Sequence, residues 1–116
     1  MALSVLLVED ETLLRMMVAD MVEELGLKVV AEAGTIEAAV QLAREGTFDL
    51  AILDINLGGP NSLPVAEILS QRGIPFMFAS GYSFGVIPAA FNDRPMLRKP
   101  FRLDQLAEAV KELTAR

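Results

Sequence analysis

Four short stretches carry side chains able to do polar chemistry together: Glu9-Asp10, Asp54, Ser80-Gly81 and Lys99-Pro100. Each follows a short apolar run: Val5 to Val8, Leu50 to Leu53, Phe76 to Ala79, and Met96 to Arg98. Carboxylates gathered in one place repel each other, so either some hold a proton or a cation sits among them. A hard oxygen site with open positions suits Mg²⁺, which keeps several waters and is commonly completed by phosphate oxygens. An ammonium and a hydroxyl beside such a site can hold phosphoryl oxygens. A carboxylate can itself be the nucleophile and become an acyl phosphate.

The composition closes other routes. The 116 residues contain no Cys, no His and no Trp. That excludes thiolate or imidazole metal sites, disulfides, cysteine nucleophiles and any histidine base. Ten basic residues stand against sixteen acidic ones, a net charge of −6. Nucleic-acid binding relies on neutralising phosphates, so no nucleic-acid partner is expected, and an anionic membrane surface would repel the chain. The apolar start runs into Glu9-Asp10-Glu11 without a basic n-region, unlike a signal peptide, and no apolar run approaches membrane-spanning length. The expected location is the cytoplasm.

The elements that must position these residues alternate strand and helix. The four runs, with Lys28 to Ala33, read as five strands, of which Val5 to Val8 and Leu50 to Leu53 read as buried. Asp10 is a candidate cap for a first helix, with Leu13, Leu14, Met17, Val18, Met21, Val22 and Leu25 on its inner stripe and Gly26 as its stop. Met16, Met17, Met21 and Met77 suit core or near-core positions, with a Met-rich partner groove on the first helix as the alternative. Gly34-Thr35 opens a second helix that stops at Gly46. Pro64 sits in the first turn of a third, which ends at Arg72-Gly73. Leu103, Leu106, Ala107, Val110 and Leu113 stripe the last one. Between Tyr82 and Asp93, Gly85 and Pro88 allow only a short or distorted helix around Val86 to Phe91. Such alternation implies an α/β domain with a parallel sheet, right-handed crossovers and helices on both faces, and residues 1–116 are expected to form this single domain without an output domain. Ligands of such sheets bind outside the carboxyl ends of the strands, where Glu9, Asp10, Asp54, Ser80 and Lys99 all fall.

Taken together, these residues at these strand ends resemble a bacterial response-regulator receiver domain, CheY-like, over essentially the whole chain. The resemblance implies a flavodoxin-like (βα)5 doubly wound fold with a five-stranded parallel sheet in the order 2-1-3-4-5. It implies Asp54 as phosphoacceptor, charged from a sensor histidine kinase or a histidine phosphotransfer protein. Mg²⁺ would be held by Asp10 and Asp54 directly, by Glu9 through water and by the backbone carbonyl of Asn56. Lys99 would pair with the phosphoryl oxygens, Ser80 would hydrogen-bond the phosphoryl group, and a cis peptide would precede Pro100. Phe78-Ala79-Ser80-Gly81-Tyr82 is similar to the Phe-Ala-Thr-Gly-hydrophobic-Tyr (FAT GUY) receivers. Where many receivers have an aromatic switch three residues before the lysine, this chain has Met96. The segment Tyr82 to Asp93 is therefore expected to rearrange instead and to be read by a downstream protein.

A receiver of this kind is a monomer or weak homodimer and not an enzyme beyond self-phosphorylation and autodephosphorylation at Asp54. A non-phosphorylated binding module and a small Mg²⁺-dependent phosphohydrolase are the alternatives. Asn56 sits where a hydrolase would want an acid.

Overall fold

Apolar residues packed on both sides of a strand leave no polar face, and such strands belong in the middle of a sheet. In the computed structural model, which describes residues 2–55, 57, 61–81, 91 and 93–115, five strands form a parallel sheet in the order β2-β1-β3-β4-β5. They are β1 (Ser4–Val8), β2 (Lys28–Ala33), β3 (Leu50–Asp54), β4 (Phe76–Ser80) and β5 (Met96–Arg98). The helices are α1 (Thr12–Glu24), α2 (Ile36–Glu45), α3 (Leu63–Gln71) and α4 (Leu103–Thr114). The order and parallel pairing are those the resemblance implied. The short helix expected around Val86 to Phe91 lies outside the described residues, apart from Phe91 itself.

Side chains alternate across the sheet and build two cores. Leu6, Val8, Leu53, Phe76 and Phe78 face α2 and α3 and meet Ala39, Val65 and Leu69. Val5, Leu7, Ile52, Met77 and Leu97 face α1 and α4 and meet Val22, Leu106 and Leu113. Phe91 tucks into the first core, edge-on to Phe76 with ring centroids 5.6 Å apart, and Arg94 lies over Phe76 at 4.9 Å. Aromatic pairs in this geometry add to plain burial. Phe91 is thus anchored in the core, while Asp93 beside it is exposed.

Edge strand β2 carries a bulge. Val5 pairs with Val29 but Leu6 pairs with Ala31, so Val30 is the extra residue and is exposed. Beyond it the faces exchange: Val29 packs on the α1/α4 side, while Ala31 and Ala33 pack on the α2/α3 side. Such a bulge twists an edge strand away from pairing with other chains.

Two expectations about α1 are corrected. Asp10 does not cap it: the N-cap is Glu11, and no side chain caps the helix end. The inner stripe is also narrower than its spacing suggested. Val18 and Val22 are buried, but Leu13, Met16 and Met17 are 70%, 58% and 53% exposed. The sheet and α4 cover one face of α1, and these three lie round the side. Met77 is fully buried and Met21 partly so, as expected. Elsewhere the local signals agree with the structure. Thr35 accepts from the Ala38 amide at 3.2 Å to cap α2, Pro64 lies in the first turn of α3, and Gly26 and Gly73 follow helix ends at φ of 88° and 71°. The left-handed region favours glycine at both. No helix among the described residues is long and apolar enough to cross a membrane.

Candidate functional site

Parallel register brings the strand ends to one rim. Asp54 is paired with Ala79, the residue before Ser80, and Ser80 with Arg98, the residue before Lys99. The Lys99 amide donates to the Ser80 carbonyl at 2.8 Å, tying the ends of β4 and β5 together. The Lys99–Pro100 peptide is cis, where the resemblance placed it. On β1, the Glu9 amide donates to the Ala33 carbonyl at 3.0 Å, so Glu9 begins where the strand pairing stops.

The side chains converge. Carboxylate oxygens of Glu9, Asp10 and Asp54 lie within 4.8 Å of one another. Lys99 Nζ donates to Glu9 Oε1 and stands 3.2 Å from Asp54 Oδ2. The Glu11 amide donates to the other Glu9 oxygen, Oε2, at 3.1 Å. Glu9, Asp54 and Ser80 are buried; Asp10 and Lys99 are half-buried. Of the six residues singled out from the sequence, five are thus at one sheet edge, and four of those (Glu9, Asp10, Asp54 and Lys99) form one charged cluster. Asn56 lies outside the described residues.

Burial and crowding set the charge states. Burial pushes the Asp54 carboxyl up to about 7; the adjacent Glu9 carboxyl adds to this, and Lys99 opposes it. Burial also works to raise Glu9, but the hydrogen bond from Lys99 and the Glu11 amide more than offset it and hold Glu9 below the usual range. Lys99 is raised: burial disfavours its charge, yet the hydrogen bond to Glu9 and the charges of Asp54 and Glu9 outweigh it. Near neutral pH one proton is therefore shared between two buried carboxyls, with Asp54 its preferred holder.

This arrangement fits a hard dication. The three carboxyls carry more negative charge than the single Lys99 ammonium balances, and a dication would displace the shared proton. The oxygen-only donor set suits Mg²⁺ rather than a softer metal.

Two features of the site were not singled out from the sequence: the Glu11 amide holds Glu9, and Arg15 reaches back to the Glu9 carbonyl. The exposed Leu13, Met16 and Met17 lie in the first turns of α1; the sequence favoured core or near-core positions there, with a Met-rich partner groove on this helix as the alternative.

The likenesses to known proteins agree with this geometry. The family model for the response regulator receiver domain matches residues 5–111. The transcriptional regulatory protein PdtaR of Mycobacterium tuberculosis is 34% identical over 97% of this chain, which spans only 57% of that protein. The chemotaxis protein CheY of Bacillus subtilis is 31% identical over 97% of this chain and 98% of its own length. The solution structure of SdrG from Sphingomonas melonis Fr1 is 44% identical, with a TM-score of 0.86 and 97% of each chain covered. Receiver domains are signalling domains of two-component systems, and they typically bind Mg²⁺ through acidic residues such as those gathered here. Matched by the family model over nearly its whole length, and folded with its acidic residues at the carboxyl edge of a 2-1-3-4-5 sheet, the chain belongs to the response regulator receiver domain family.

Proposed function

We propose that the chain is the phosphoacceptor of a two-component system or multistep phosphorelay, and that Asp54 takes the phosphoryl group from a phosphohistidine. The observation that carries this reading is the Lys99 ammonium held 3.2 Å from Asp54 Oδ2 within the cluster of three carboxyls. In the transfer, an Asp54 oxygen attacks phosphorus, the phosphorus–nitrogen bond to the donor imidazole breaks, and the imidazole leaves with the bonding electron pair. Only ionised Asp54 can attack, so its shared proton must leave first. Lys99 then moves its hydrogen bonds from the carboxyls to the phosphoryl oxygens, a shift of one heavy-atom contact. Ser80, at the neighbouring strand end, would hydrogen-bond the new phosphoryl group. Glu9, Asp10, Asp54 and the carbonyl of Asn56 would hold Mg²⁺, which supplies charge neutralisation for the transferring group. The same residues allow Asp54 to be charged from a small phosphodonor and to be slowly hydrolysed, without making the chain an enzyme toward other substrates.

The phosphodonor protein has a candidate footing in the exposed side of α1. Leu13, Met16 and Met17 form an apolar patch on a helix that starts two residues after Asp10, so a phosphohistidine seated over Asp54 would bring its own helix against them. Exposed apolar patches on otherwise polar surfaces mark partner contacts. The output side of the reading rests on Ser80, whose strand leads directly into the 82–93 segment that a downstream protein would read.

The test is phosphotransfer profiling against the host's histidine kinases, with Met16→Glu/Met17→Glu beside the wild type. The double variant is expected to slow transfer from the cognate phosphohistidine protein by about tenfold or more, as losing a contact of ~1.4 kcal/mol would. Uptake from acetyl phosphate, which needs no docking, should stay within about twofold of wild type. Equal slowing with both donors would show that the patch matters for folding rather than docking. No transfer from any kinase would remove the relay reading.

A further inference from the structure

Every hydrogen-bonding group of Glu9 is held, and one of those bonds is unusual. Its amide takes the last strand rung, to the Ala33 carbonyl. In a parallel ladder the next rung would bring an amide from residue 35 to the Glu9 carbonyl. But β2 ends at Ala33, and Thr35 has turned away to cap α2. The Glu9 carbonyl instead accepts from Arg15 Nη1, 2.8 Å away. The Nε of the same guanidinium pairs with Glu32 of β2 at 3.2 Å. Arg15 comes from the second turn of α1, so one side chain spans α1, the end of β1 and the end of β2.

Gly34 shows what this span requires. Its φ lies outside the left-handed region, where only Gly26 and Gly73 are found among the described glycines. Backbone conformation therefore does not call for glycine at 34. Space does: a Cβ there would stand 2.7 Å from Arg15 Nη1 and 3.7 Å from the Glu9 carbonyl oxygen. The missing Cβ is the gap through which the guanidinium reaches.

We infer that Arg15 is a positioning residue for the acidic cleft, holding the Glu9 backbone so that its carboxylate stays over the cation site, with Gly34 the clearance this reach needs. The inference rests on the proposed Mg²⁺ role of Glu9. A charge-assisted bond to a carbonyl just past a strand end fixes the residue that follows. The Glu9 carboxylate is then placed by its two partners, Lys99 and the Glu11 amide. Partners one step behind metal ligands act in this way on affinity.

The effect has a sign that separates it from plain electrostatics. Removing a cation from beside an acidic site should tighten Mg²⁺ binding if only charge matters. Removing a positioning residue should weaken it. We expect Arg15→Met to raise the Mg²⁺ dissociation constant, measured by calorimetry, about tenfold. Gly34→Ala changes no charge, and its Cβ meets only the far end of a flexible side chain, so it should fold and show the same weakening. Glu32→Gln leaves the carbonyl bond in place and should change affinity by no more than about twofold, as for an exposed ion pair. In the metal-free protein, exchange of the Glu11 amide proton should quicken about tenfold in Arg15→Met and in Gly34→Ala, as local order around Glu9 is lost. Unchanged or tighter Mg²⁺ binding in Arg15→Met, or unchanged Glu11 exchange in both variants, would overturn the inference. If the wild type binds no Mg²⁺, the cation role of Glu9 falls, and Glu11 exchange alone decides whether Arg15 positions the residue.

Discussion

In magnesium-free buffer at pH 8, Asp54→Asn should melt well above the wild type. The Asp54 carboxyl is pushed up to about 7 from an ordinary 3.8, by burial first and by Glu9 second. The folded state thus binds this proton more tightly than the unfolded chain does. Stability then falls as pH rises from about 4 to about 7, and the whole cost is present above that. Three pKa units correspond to about 4 kcal/mol, an upper bound because Glu9 and Lys99 readjust. Even half of that raises the melting temperature of a domain this size by roughly 10 °C. An amide of the same shape removes the cost, so the advantage of Asn should be largest above pH 7, shrink as pH falls and vanish near pH 4. A thermal melt series over that range checks it. An Asn variant no more stable than wild type at pH 8 would mean that Asp54 is not held against its own ionisation. As the proposed nucleophile, Asp54 would give up stability for function by having to ionise in a crowded, buried site.

The second large effect belongs to Lys99. Lys99→Met takes away a cation that faces both Glu9 and Asp54. On the proposed function, the transferring phosphoryl group would then lose this donor. Removing a single preorganised donor of this kind costs roughly 10²- to 10³-fold in rate. We expect phosphoryl uptake from acetyl phosphate at saturating Mg²⁺ to fall by about that factor, read as initial rates. Mg²⁺ affinity should hold or rise, because a positive charge has left the cleft. Loss of both together would instead mean that Lys99 supports the fold of the site. Lys99→Arg should not restore the wild-type rate, since a planar, bulkier guanidinium cannot sit where a compact ammonium bridges two carboxyls. A fall of less than tenfold in Lys99→Met would remove Lys99 from the transfer.

Much of this was legible in the chain itself. Strands β1, β3 and β4 carry continuous apolar runs that are followed at once by polar residues, Glu9, Asp54 and Ser80, so both their burial and the address of the site could be read from the run and the residue after it. What could not be read has particular physical causes. On α1, residues advance about 100° each, so Leu13, Met16 and Met17 fall on one side of the helix while Val18 and Val22 fall on another. An apolar arc this wide cannot all face one sheet, and treating it as one stripe hid the exposed patch. Asp10 has the chemistry of a cap, but its neighbour Glu11 holds the cap position. Arg15 gives no signal in the sequence, because its partner is a backbone carbonyl six residues back, a contact that side-chain periodicity does not register. Gly34 looked like turn punctuation before Thr35, and only its missing Cβ beside Arg15 reveals its use. Phe91 could equally have faced solvent; its place beside Phe76 depends on a tertiary contact that local sequence does not describe.

The central claim is that Asp54 accepts a phosphoryl group with the help of a cation bound at Glu9, Asp10 and Asp54. Incubation with acetyl phosphate, with and without Mg²⁺, followed by intact-protein mass spectrometry, tests it most directly. One added phosphoryl group per chain is expected, requiring Mg²⁺ and absent in Asp54→Asn. An unmodified wild type in the presence of Mg²⁺, or an adduct that survives in Asp54→Asn, would contradict it.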